Sequence, residues 1–421
     1  MSVLECQWYE EEYQNMCRTK PSFFIRIVFS VAIIAFILGN FSYFVFTPND
    51  LNVLDADRTD RDTTFLAVTP SGEVITHPFQ TVDWNPEYNK IVEVDIQGHV
   101  VWECQGLAFP HELLQLPNGH ILVANTGADN IVEIDYPNTN IVWTWNVADM
   151  DWSLVNPAWD ADHYYNTPQE HDWSHINHVA FKQYDTWNAC LISIRNFDMI
   201  LELNYTEARF GDTYNPANII WYYGDYGNYT MLRHQHNPDY TPNGNIIVAD
   251  SHNSRIIEID YATKEIVWDF SDQLQWCRDA DIMQNGNVLI TDSDEVMEVN
   301  YATKRIVWRY FTDMVVPYEA DELPNRHILI GCGMSSQVVE LNLQRHVVFT
   351  YNTNIIQFIW IGSFILGACM NFLGYAVSPK KTSDKALTGI FCIIHVIMVL
   401  YYAQVISGIF WILISSVNHI V

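Results

Sequence analysis

Residues 111–146, HELLQLPNGHILVANTGADNIVEIDYPNTNIVWTWN, decide the fold. Apolar and polar residues alternate with period two in four short segments, HELLQL, HILVAN, NIVEIDY and NIVWTW. That alternation marks half-buried strands, and Pro, Gly, Asn and Asp punctuate the gaps between them. Four strands in roughly 40 residues make one blade of a β-propeller.

The same unit recurs on either side. Its clearest string is Glu-apolar-Asp/Asn, a turn, then Val-Trp: IVEVDIQGHVVW, IVEIDYPNTNIVW, ILELNY…NIIW, IIEIDYATKEIVW, VMEVNYATKRIVW and VVELNLQRHVVF. The six glutamates are Glu93, Glu133, Glu202, Glu258, Glu298 and Glu340, spaced 40, 69, 56, 40 and 42 residues apart, so the third repeat carries insertions. Six such units predict an all-β chain, a six-bladed β-propeller over 47–353; a β-solenoid is the structural alternative but needs shorter repeats. Asn118-Gly119, Asn243-Gly244 and Asn285-Gly286 suit two-residue hairpin turns.

Fifty acidic residues face 21 basic ones in the 421-residue chain, a formal charge of −29. The 47–353 segment alone holds 45 acidic and 15 basic residues, a charge of −30. Such a surface repels nucleic acid, supports solubility at high salt and suggests a saline habitat. The eight cysteines form no disulfide framework and no CxxC; Cys104, Cys190, Cys277 and Cys332 read as small buried residues, one per repeat.

Three apolar runs have the length to span a membrane: 23–46, 354–377 and 386–417. The first is too long for a signal-peptide core and lacks a small-residue cleavage site, so it should remain as an anchor. Arg18, Lys20 and Arg26 flank the first run, and Lys380, Lys381 and Lys385 crowd the 378–385 loop. Basic residues concentrate on the cytoplasmic side, so segment 1–22 and the 378–385 loop are expected there and the propeller outside. Asn204-Tyr205-Thr206 and Asn228-Tyr229-Thr230 are glycosylation acceptors that this orientation would expose.

In a propeller the first strand of each blade lines the central channel. Counting back seven residues from each Asn-Gly turn gives His111, His236 and Arg278, and the last unit offers Tyr318. Matching His-x-Asn-His to His-Asn-Pro-Asp places His175 in the same column. The ends of the second strands form an adjacent column of Asn125, Arg195, Asp250, Asp292 and Cys332. His111, His175, His236, Arg195 and Arg278 thus surround one mouth of the channel, an anion site within a strongly acidic domain. Histidines at equivalent repeat positions can instead serve hydrogen bonding between blades.

The units HELLQLPNGHILVAN, DWSHINHVAF…LISIRN and HQHNPDYTPNGNIIVADS resemble the arylsulfotransferase family, especially its membrane-anchored archaeal branch, over about residues 60–350. The resemblance implies an enzyme in which a channel histidine takes the sulfuryl group of an aryl sulfate and hands it to an acceptor hydroxyl. It implies a sulfohistidine intermediate, no nucleotide donor and no cofactor, and the chain lacks a Gly-x-x-x-x-Gly-Lys phosphate loop. The family's functional residues map onto His111, His175, Arg195 and His236, with His236 in the nucleophile's place. Arg278 adds a second anion clamp. Imidazole is a competent nucleophile and leaving group near neutral pH, guanidinium matches the sulfuryl oxygens, and a second histidine can shuttle the proton. Trp173, Tyr222, Tyr223 and Tyr226 either hold the aryl ring or are buried in blades. Unlike the soluble bacterial members, the chain shows neither a separate N-terminal β-domain nor a removed secretion signal. Expected partners are a small aryl sulfate donor, a hydroxyl acceptor and the membrane, with a homo-oligomer left open.

Two rival functions remain at this level. Glu170, His171, Asp172, His175 and His178 offer a His-x3-His-x2-His spacing suited to zinc. A propeller can also present its channel mouth to ligands without catalysis.

Overall fold

The computed structural model describes residues 51–70, 89–168, 172–311, 316–333 and 337–352. They form six four-stranded antiparallel sheets, each drawn from one contiguous stretch. We call them blades A (51–105), B (110–146), C (176–224), D (236–270), E (277–311) and F (317–352). First strands of neighbouring blades touch all the way round, blade F against blade A included. The ring is closed, which excludes the open solenoid.

Burial within a blade follows the distance from the axis. Second strands such as Ile121–Asn125, Ile246–Asp250 and Val288–Asp292 are buried at every position. They are sandwiched between the faces of adjoining blades, hence their nearly unbroken apolar sequences. Fourth strands lie at the rim, where Asn140–Asn146 buries only Trp143 and Trp145. The insertions expected in the third repeat are a segment with two short helical turns, Trp152–Val155 and Tyr164–Asn166, and a capped helix, Tyr205–Phe210. Their Trp152, Trp159 and Tyr165 bury against Phe197 of blade C and against Trp173, just before that blade. Asn204, one of the two glycosylation acceptors, caps that helix by accepting from the Glu207 amide at 3.1 Å.

The repeated glutamate and tryptophan join the blades. Within each blade the glutamate on the third strand lies opposite the fourth-strand aromatic: Glu93 and Trp102, Glu133 and Trp143, Glu202 and Trp221, Glu258 and Trp268, Glu298 and Trp308, Glu340 and Phe349. Each glutamate then accepts from the following blade. Tyr136 donates to Glu93 (2.7 Å), Tyr205 to Glu133 (2.8 Å), Tyr261 to Glu202 and Tyr301 to Glu258 (2.7 Å). At the last two joints arginines replace tyrosine, Arg345 on Glu298 (2.8 Å) and Arg58 on Glu340. Tryptophans reinforce the grip, Trp221 and Trp268 donating to the backbone oxygens of Tyr261 and Tyr301, both at 2.8 Å.

The hairpin glycines behave differently from expectation. Leu116 donates to His120 O and Gly119 to Leu116 O, both at 2.8 Å, and Gly119 has φ +88°. The loop is therefore three residues long, a turn followed by a left-handed bulge glycine, and Gly244 and Gly286 repeat it. Cys104, Cys190, Cys277 and Cys332 are buried and belong to no disulfide. Among the described residues no helix is long and apolar enough to cross a membrane. The spans expected at 23–46, 354–377 and 386–417 lie outside those residues.

Candidate active site

A bulge at the start of every first strand aims side chains at the axis. In blade B, Pro110 pairs with Asn125 and Glu112 with Ala124, leaving His111 as the extra residue. Arg278 is the extra residue in blade E and Tyr318 in blade F, and in blade D the shift follows His236 directly. An added residue bends the strand and redirects its side chain. Leu54 and Asn177 hold the corresponding places in blades A and C.

This register corrects two placements drawn from residue counting. Asn177, not His175, shares the column of His111 and Arg278. His175 stands two residues earlier, where blades B, D and F have Phe109, His234 and Val316, and all four have a left-handed backbone (φ +48°, +52°, +45° and +62°). Arg195 is likewise one residue beyond its expected column. It begins a 3-10 turn equivalent to those starting at Thr126 and Ser251, each closed by a left-handed residue, Asp198, Asp129 and Ser254. The true column residues Asn125, Asp250 and Asp292 accept the Ala108, Arg233 and Trp276 amides at 2.6–2.7 Å, a structural duty. Thr126 and Ser251 bond the next blade's backbone, whereas Arg195 donates to Asn196 Oδ1 at 2.8 Å.

Despite those shifts the five residues converge. The His111 ring lies 5.9 Å from that of His175, 5.6 Å from His236 and 5.3 Å from Tyr318, centroid to centroid. Arg278 donates to His236 Nε2, stacks on Trp276 at 3.5 Å and lies 5.0 Å from the Tyr318 ring. His175 Nδ1 is 2.8 Å from the Asp172 carboxylate. His111, His236 and Arg278 are almost wholly buried, at 2%, 1% and 3% exposure.

Burial sets the charge states. It holds His111, His175 and His236 well below the ordinary histidine range, and the neighbouring Arg278 and Arg195 push the same way. The three imidazoles are therefore neutral at pH 7, while both arginines, though lowered by burial, remain the cations of the cluster. Burial also raises Asp172 well above the carboxylate range, against the pull of Arg195.

Tyr318, Asp172, Phe109 and Trp276 complete the mouth; the sequence placed Tyr318 in the channel column and Asp172 only in a metal-binding spacing, and gave Phe109 and Trp276 no role. Of the aromatics considered for an aryl ring, Trp173 and Tyr223 are core residues, and Tyr222 packs against the core. Tyr226 stacks on Tyr164 at 4.2 Å. The zinc-like spacing is split: Asp172 binds His175, His178 faces Glu112 at 3.0 Å, and Glu170 and His171 lie outside the described residues.

Comparison with known proteins gives one family. The Arylsulfotransferase (ASST) family model matches residues 54–231, a span holding His111, His175 and Arg195 and ending before His236, Arg278 and Tyr318. The match supports sulfuryl transfer of the arylsulfotransferase type in general. No curated protein matches the chain. Similar solved structures include a protein of unknown function from Bacteroides caccae, 14% identical, covering 63% of this chain and 91% of its own, with a TM-score of 0.43. Virginiamycin B lyase from Staphylococcus aureus is 9% identical over 74% of this chain and 86% of its own, at 0.45. A streptogramin B lyase is 12% identical over 73% and 84%, at 0.44. Likeness this distant carries no argument about the site.

Proposed function

We propose that the chain is a membrane-anchored aryl-sulfate sulfotransferase. In this reading it moves a sulfuryl group from a sulfate ester to an acceptor hydroxyl, through a sulfohistidine on His236. The observation that carries the proposal is the neutral His236 ring, bonded by Arg278 inside a pocket shared with His111, His175, Arg195 and Tyr318. The Arg278 bond fixes the tautomer, so Nε2 keeps the lone pair and Nδ1 the proton.

The chemistry follows from those states. When a sulfate ester enters, Arg278 turns its N–H to a sulfuryl oxygen and Arg195 holds another, so charge developing on those oxygens meets fixed cations. Nε2 of His236 attacks sulfur, the S–N bond forms and the S–O bond to the aryl oxygen breaks. His175 gives its Nε2 proton to that oxygen while Nδ1 takes one from Asp172, whose raised pKa keeps it protonated beforehand. In the second half-reaction the acceptor hydroxyl returns a proton along the same path and attacks sulfur, and the N–S bond breaks. Phe109, Trp276 and Tyr318 offer faces for the aryl ring.

Turnover of a chromogenic aryl sulfate by the full-length protein tests the reading; saturable binding without turnover would favour a non-enzymatic binding module. In the same assay Arg195→Lys keeps the charge but loses the planar fork, so transfer should drop at least about tenfold with the fold intact. Unchanged activity in the folded variant removes Arg195 from the site.

The anchors belong to the same proposal. Protease added to intact cells should degrade the propeller, and a thiol label on a Thr382→Cys variant should stay protected by the membrane. External labelling at that position reverses the orientation.

A further inference from the structure

Past the histidine layer the channel changes character. The residues directly after Leu54, His111, Asn177, His236, Arg278 and Tyr318 are Asp55, Glu112, His178, Asn237, Asp279 and Glu319. Every one can donate a lone pair to a cation, and none carries a fixed positive charge. Asp55, Glu112 and Glu319 come from three consecutive blades, are 0%, 5% and 7% exposed, and place carboxylate oxygens within 4.8 Å of one another. Among the described residues no lysine or arginine pairs with them; the arginines Arg58, Arg61, Arg209 and Arg345 sit on the outer glutamates instead.

Two further features point to a ligand. Asp55 and Glu319 lie close enough to share a proton, yet Asp55 Oδ1 and Glu319 Oε2 receive no donor from elsewhere. His178, a buried residue of a different kind, brings Nδ1 to 3.0 Å from Glu112 Oε2, yet neither of its ring nitrogens makes a well-aligned hydrogen bond. Buried polar atoms are satisfied as a rule, so orphans gathered at one point call for a missing group.

We propose that Asp55, Glu112 and Glu319 form a divalent-cation site of the calcium type at mid-channel. Hard carboxylate oxygens suit calcium, which accepts a cage of protein carboxylates in flexible geometry. Magnesium dehydrates reluctantly and demands near-ideal octahedral geometry, so a buried cage of three carboxylates suits it less. His178 then orients Glu112 from outside the coordination sphere. The cation removes the mutual repulsion of three buried carboxylates, which otherwise must be relieved by protonation.

The test uses the full-length protein stripped with chelator. Calorimetric titration with calcium chloride should show about one site per chain, and calcium at about 1 mM should raise Tm by roughly 5 °C, magnesium by clearly less. Asp55→Asn combined with Glu319→Gln keeps shape while removing charge, so it should fold and lose the calcium response. Should that pair not fold, Glu112→Gln alone is titrated, and its isotherm should be flattened at least about tenfold in affinity. A wild-type protein indifferent to calcium, manganese and zinc overturns the site, as does an equal response in the variants. These readouts are independent of sulfuryl transfer, so the two proposals fail separately.

Discussion

Alanine in place of His236 should abolish transfer, lowering turnover by at least about 10,000-fold, because it removes the atom that bonds to sulfur. Incubated with an aryl sulfate and no acceptor, the wild-type protein should gain one sulfuryl group, about 80 Da, on the peptide holding His236. Digestion near neutral pH preserves the acid-labile N–S bond. The variant should gain nothing, whereas His111→Ala and His175→Ala should form the adduct more slowly. A modified His111 or His175 would keep the anion pocket and move the nucleophile. Transfer that proceeds with no modified protein at any time eliminates the covalent route.

The largest loss of stability is expected at a joint between blades. Glu133 is fully buried and accepts from Tyr205 at 2.8 Å, from His120 at 2.7 Å and from Arg209. Glu133→Ala strands all three donors and should cost on the order of 4 kcal/mol, a Tm drop of roughly 8 °C in a domain of this size. Glu103→Ala is the contrast: its 3.0 Å pair with Lys90 lies at the surface, with the Glu103 side chain 43% exposed, and should cost under about 0.5 kcal/mol. Equal melting temperatures for the two variants would falsify the joint's role. Burial pulls the Glu133 pKa up, but bonds from Tyr205, Arg209 and His120 outweigh it and leave it below its usual 4.5. A lowered carboxylate stabilises the fold above its unfolded value, so this contribution is full at neutral pH and is lost only as pH falls below about 4.5.

The blades were legible because each repeat must present the same glutamate and aromatic to the next, so Glu133 and Trp143 have counterparts that spacing alone reveals. The channel was legible only in part. His111, His236, Arg278 and Tyr318 align by counting from the hairpin, since each stands eight residues before its left-handed hairpin residue, Gly119, Gly244, Gly286 and Arg326. His175 and Arg195 do not, because the first hairpin of blade C turns through residues 184–187 and has no Asn-Gly pair to count from. Without that marker the column has to be set by motif alone, and the histidine two residues early fits the motif as well as Asn177 does. The acidic layer carried a signal that went unused: His111-Glu112, Arg278-Asp279 and Tyr318-Glu319 each set an acid directly after the site residue. Asp55 lacks that marker, because Leu54 precedes it.

Among the described residues no blade borrows a strand from the far end of the chain. The ring is thus a split washer, and among those residues side chains hold shut its cut between blades F and A. Phenols reach across four of the joints, with Arg209 beside Tyr205 on Glu133, while the two on either side of blade F are crossed by guanidinium pairs that salt loosens. Tyr318 rides on that blade and meets His111 of blade B across the full width of blade A. Prying the washer at its cut would widen the bore there first, and the gauge of the histidine pocket with it.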